Sequence, residues 1–96
     1  MPKSLLLSEL TRDEVREVAL RATLILPTAA TEQHGPHLPL ATDSTIAEGI
    51  ALGAAAIASC QVPVVVAPVV PFGNSHHHLV SRTLISVEFP NVALHM

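Results

Sequence analysis

The 96-residue chain contains neither Trp nor Tyr and only two Phe. Its interior must therefore be assembled from Ala, Val, Leu and Ile, a composition that suits buried parallel strands in an α/β domain. A single cysteine, Cys60, excludes an intrachain disulfide and fits a reducing compartment. It falls between an apolar helix and a strand, where an inert buried thiol is expected. Charge is also scarce. Five Lys and Arg against eight Asp and Glu give a net charge of −3 with no basic stripe, so binding to nucleic acid or to an anionic membrane has no electrostatic support. Long apolar runs are missing as well. The most apolar region, Ile46 to Phe72, is interrupted by Gly49, Gly53, Pro63, Pro68 and Pro71, which rules against a membrane-spanning helix. The opening MPKSLLLSEL has too short an apolar stretch for a signal-peptide core. No nucleotide-binding glycine pattern, zinc-finger pair or G-x-S-x-G elbow occurs. The expectation is a cytoplasmic chain forming one domain over residues 1–96. Its core is modest, since a chain of this size buries roughly 60–65% of its unfolded surface.

What the chain does have is histidine. Five of its six histidines lie in two short clusters, His34 with His37 and His76-His77-His78. The elements around them can be read from the pattern. Thr11-Arg12-Asp13-Glu14 is a capping box, and Val15, Val18, Ala19 and Ala22 follow at helical spacing, which predicts a helix from about Thr11 to Ala22. Thr23 to Leu26 reads as a short buried strand ended by Pro27. Asp43 or Ser44 is expected to cap a second helix with Ile46, Ala47, Ile50, Ala51, Ala54, Ala55 and Ala58 on its apolar face. Val62 to Val66 reads as a second strand and Thr83 to Val87 as a third. This alternation implies crossover units and a largely parallel sheet, with ligands collected at the carboxyl ends of its strands. Both histidine clusters follow strands, so both are expected on the same edge.

The run TEQHGPHLPLATD, residues 31–43, packs Glu32, His34, His37 and Asp43 into a loop stiffened by Gly35, Pro36 and Pro39. In extended backbone Glu32 and His34 point to the same side. Asp43 can return to that region from the start of the next helix. A carboxylate there can bridge two cations about 3.5–4 Å apart, and mixed carboxylate and imidazole donors suit zinc or manganese. His37 is open between a ligand, a group orienting a ligand, and a hydrogen bond to the loop backbone. In Gly73-Asn74-Ser75-His76-His77-His78 adjacent side chains diverge, so at most one or two histidines can face a site. Ser75 is a candidate hydrogen-bonding partner for a substrate.

These segments resemble the creatininase family, the creatinine amidohydrolase-like metal-dependent hydrolases. The likeness runs over about residues 5–86, through LSELT, TLILP, EQHGPHLPLATD, VVVAPVVPFGNSHHHL and Thr83-Leu84-Ile85-Ser86. It implies a three-layer α/β/α fold, usually in a homo-oligomer, with a dinuclear zinc or manganese centre. Glu32, His34 and Asp43 match family metal ligands, Asp43 in the bridging position. His78 matches the histidine of the family's G-x-S-x-x-H loop at the substrate pocket and is the catalytic candidate. Ser75 matches a pocket serine, and His37 is assigned to the substrate side. The implied reaction is hydrolysis of a non-peptide C–N bond in a small cyclic or linear amide by a metal-activated water. Two departures stand out. After His78 the family's Phe-Pro-Gly-Thr stretch is replaced by Leu79-Val80-Ser81-Arg82-Thr83. Family chains are also longer, with further ligands in a later Gly-His-Gly-Gly-Asn-type segment. The expectation is therefore an incomplete fold carrying part of the site. The alternative to impaired catalysis is a non-catalytic metal-binding or subunit-interaction fragment.

Overall fold

A computed structural model describes residues 4–75 together with the backbone of strands 84–88 and 91–95. Its contacts divide into two compact units, one formed by residues 1–27 with 48–68 and the other by 28–47 with 69–96. Within them the chain is α/β and contains a small parallel sheet.

In the first unit, Thr11 caps helix α1 (Arg12–Val18), with the Glu14 backbone donating to its hydroxyl and the Glu14 side chain accepting from the Thr11 amide. The helix stops four residues short of Ala22. Ala19, Leu20 and Arg21 form a closing turn in which the amides of Arg21 and Ala22 both donate to Val18 O. Strand β1 (Thr23–Ile25) then pairs in parallel with β3 (Val64–Val66), Leu24 opposite Val65. The Leu5–Leu6 segment lies along the other side of β3, with Val66 N donating to Leu5 O at 2.7 Å. So β3 is central, and all three of its valines are buried.

One face of this sheet carries the core. Val64 and Val66 pack with Ala51 and Ala55 of helix α2 (Thr42–Ala58), and Leu5, Leu6, Ile25 and Leu52 surround them. Burying each valine in this way contributes about 1.5–3 kcal/mol. On the opposite face Leu24 and Val65 meet α1 across an apolar hollow of about 210 Å³ lined also by Val15 and Val18. None of the candidate site residues lines it. Helix, sheet and helix thus form three layers inside this unit.

Two expectations need correction here. The strand at Thr23 is not buried, since Thr23 is exposed and Leu24 is 55% exposed. It is the edge of the two-stranded sheet and has no neighbour on its outer side among the described residues. Cys60 is exposed, because it sits in the turn that ends α2 instead of on the sheet-facing stripe. No described helix is long and apolar enough to cross a membrane.

In the second unit, Thr31–Glu32 form a two-residue strand β2 that pairs antiparallel with β4 (Leu84–Glu88), and β4 pairs antiparallel with β5 (Asn91–His95). The strand expected near residues 83–87 is present, displaced by one residue, and it joins this antiparallel sheet, whereas β1 and β3 pair in parallel.

Candidate functional site

The second unit is organised by two segments that run side by side. Thr28 bridges Val70 in parallel, Ala29 N donates to Val70 O at 2.8 Å, and Thr31 Oγ1 donates to Pro71 O at 2.7 Å. Gly73 lies so close to the first segment that a Cβ there would come 3.3 Å from Ala29 O. A side chain at this position would require the first segment to give way by a few tenths of an ångström. β1 and β3 are parallel, so the segments leaving them start from the same strand ends.

Glu32 ends β2 and is half-buried. The chain then turns at Gly35, whose φ of +83° falls in the left-handed region that glycine adopts without steric cost. Gly35 N donates to Gln33 Oε1 at 2.8 Å. His34, between these residues, is half-buried, and its Nε2 is fully shielded with no hydrogen-bond partner. His37 is exposed, its ring beside Gly35 at a distance that would put a Cβ there 3.6 Å from its Cε1 and Nδ1. Residues 35–40 all lie at the surface.

Asp43 takes a part that its residue type alone does not reveal. Helix α2 begins at Thr42, so neither Asp43 nor Ser44 is its cap. Instead Asp43 Oδ2 accepts from Ala30 N at 2.9 Å and ties the first turn of α2 to the residue before β2. That bond closes the ligand-type loop from Ala30 to Asp43. Ser44, next to it, has a shielded hydroxyl with no partner. Ser75 is completely buried. His76, His77 and His78 lie outside the described residues.

The structure therefore brings Glu32, His34 and Asp43 into one unit and leaves His37 on its exposed rim. Among the described residues, no three His, Cys, Asp or Glu side chains stand close enough together to hold an ion. Two features nevertheless fit a divalent metal. The donor set is imidazole with carboxylates, and a buried imidazole nitrogen without a partner is unfavourable unless something binds it. Sequence reasoning missed Ser44 as anything but a cap, and no local pattern separates a capping serine from one whose hydroxyl is turned inward.

Comparison with known proteins gives one family match and several relatives. The family model described as "Creatininase: Creatinine amidohydrolase" matches residues 8–92. A mycofactocin precursor peptide peptidase from Mycobacterium ulcerans is 36% identical over 70 residues, covering 68% of this chain and 28% of that protein. The protein of the same name from Mycolicibacterium smegmatis is 44% identical over 61 residues, 57% of this chain and 23% of that protein. The one from Mycobacterium tuberculosis strain CDC 1551 is 39% identical over 62 residues, 58% of this chain and 25% of that protein. The matched part of the chain thus spans about a quarter of the length of these relatives.

Proposed function

The chain belongs to the creatininase family, and from that premise we propose that it supplies the amino-terminal part of a metal-dependent amidohydrolase site. In this reading residues 1–96 are one part of a single creatininase-like domain, with Glu32, His34 and Asp43 as its contribution to the ligands. The observation that carries the proposal is the loop between Ala30 and Asp43. It is tied shut by the Asp43 carboxylate and holds a buried imidazole nitrogen that has no partner among the described residues.

Zinc or manganese bound there would supply polarisation of an amide carbonyl and a more acidic water. The chain's own residues do the rest. Gly35 sets the turn that separates His34 from His37, Asp43 holds the helix start against Ala30, and Thr31 fixes β2 to Pro71. His78 and Ser75 are assigned to the substrate side, His78 as the catalytic histidine, and His37 to the rim that a substrate passes. The substrate is an amide. The resemblance to the creatininase family implies a small non-peptide amide, whereas relatives named as peptidases extend the class to a peptide amide. A homo-oligomer in the cytoplasm completes this reading.

A second reading is a metal-binding or subunit-interaction module without turnover. The lack of a three-donor cluster among the described residues favours it. One experiment separates the two. The purified chain is loaded with zinc or manganese, dialysed, and offered creatinine, formamide and a short peptide amide. Retained metal with hydrolysis supports the amidohydrolase. Retained metal without hydrolysis supports the metal-binding module, and loss of the metal on dialysis overturns every metal-based reading and leaves only subunit interaction.

A further inference from the structure

We infer that Ser44 is a positioning residue of the metal site, its hydroxyl held ready to hydrogen-bond an oxygen of the ion's surroundings, a ligating carboxylate or a water. The inference rests on the reading above that the 30–43 loop binds a divalent cation. Its own support is a contrast within a single helical turn. Thr42 Oγ1 donates to Pro39 O at 2.6 Å, and Thr45 Oγ1 donates to Ala41 O at 3.0 Å. Bonding back to a nearby carbonyl is what hydroxyls at a helix start ordinarily do. Ser44, between them, makes no such bond, and its Oγ is shielded with no partner.

A shielded hydroxyl without a partner destabilises the fold, because it has given up water for nothing. Alanine would remove that penalty and is the best helix former. Helix α2 uses alanine freely, at 47, 51, 54, 55, 56 and 58. A serine with a shielded, unbonded hydroxyl, at a position where alanine would suit the helix better, leaves that hydroxyl available to a partner outside the fold. Its surroundings indicate which. Asp43, the preceding residue in the chain, is pinned to Ala30, and His34 Nε2 in the same unit's loop is likewise shielded without a partner among the described residues. No described residue of the first unit has a shielded side-chain nitrogen or oxygen in that condition. Carboxylates and waters around a bound cation are themselves oriented by hydrogen bonds from neighbouring groups, and loss of such a group commonly weakens metal binding by about 10–100-fold.

The test uses the full chain and the metal alone. Zinc and manganese affinities are measured by competition with a chromophoric chelator for wild type, Ser44→Ala, Ser44→Thr and Thr42→Ala, alongside metal-free melting curves. Ser44→Ala is expected to melt at or above the wild-type temperature without metal, yet to bind the ions about 10–100-fold more weakly. Ser44→Thr, which keeps the hydroxyl, is expected to restore most of the affinity, and Thr42→Ala to leave it unchanged. Wild-type affinity in Ser44→Ala overturns the assignment. So does a melting temperature lowered as far as in Thr42→Ala, which would mark a structural hydroxyl. If wild type takes up neither ion, or Asp43→Ala binds as wild type does, the metal reading itself fails and this assignment with it.

Discussion

Asp43 clasps the loop through Ala30 and is the proposed metal ligand, and two substitutions separate these roles. In Asp43→Ala the Ala30 amide loses its acceptor. A half-buried N–H left unpaired costs about 1–3 kcal/mol. Removing a carboxylate from the first turn of α2 adds roughly 0.3–1 kcal/mol through the helix dipole. The sum is about 1.3–4 kcal/mol, and for a chain of this size each kcal/mol moves the melting temperature by about 4–8 °C. Asp43→Ala should therefore melt about 5–32 °C below wild type in the presence of a chelator. Asp43→Asn keeps an oxygen that can accept from Ala30 and gives up only the charge, so its loss should stay within about 1 kcal/mol. Both variants should bind zinc at least tenfold more weakly, since neither presents a carboxylate. Circular dichroism melts with chelator present and a chelator-competition titration read the two quantities separately. Equal melting temperatures for the two variants would refute the clasp. An Asp43→Asn protein with wild-type zinc affinity would refute the ligand role.

The glycines yield two opposite predictions. A Cβ at Gly49 or Gly53 would meet nothing within 4 Å, and both lie inside α2. Gly49→Ala and Gly53→Ala should each stabilise the chain by about 0.8–1 kcal/mol, additively, in chemical denaturation; a loss in either would show a contact made by the glycine backbone. At Gly73 a Cβ would come 3.3 Å from Ala29 O, a backbone atom held by its neighbours. Gly73→Ala should cost about 1–3 kcal/mol by the same assay, as overpacking does, and an unchanged midpoint would show that the two segments can part freely.

Local signals were legible in the sequence wherever the structure depends on neighbours in the chain. The capping box at Thr11 and Glu14 is present as its spacing indicates, and the α/β alternation gives the paired β1 and β3. Signals failed where the deciding partner is distant. Thr31 and Glu32 become a strand only because Leu84 and Ile85 lie opposite them, and two residues carry no strand pattern of their own. The exposure of Leu24 depends on what lies beyond the outer edge of β1, which no periodicity reports. Asp43 has the side chain of a helix cap, and only the fold shows that the amide it holds is thirteen residues earlier. The candidate ligands were visible as residue types, and their places along the loop follow the reading. Their convergence on an ion did not emerge among the described residues.

The bond between Asp43 and Ala30 has a further consequence for how this segment can change. It closes residues 30–43 into a loop anchored at both ends, while residues 35–40 lie wholly at the surface. Doubling the length of a flexible loop costs only about 0.6 kcal/mol in closure entropy. The exposed stretch is thus a cassette that can be lengthened, shortened or exchanged to reshape what passes over it, while Glu32 and Asp43 stay where the anchors hold them.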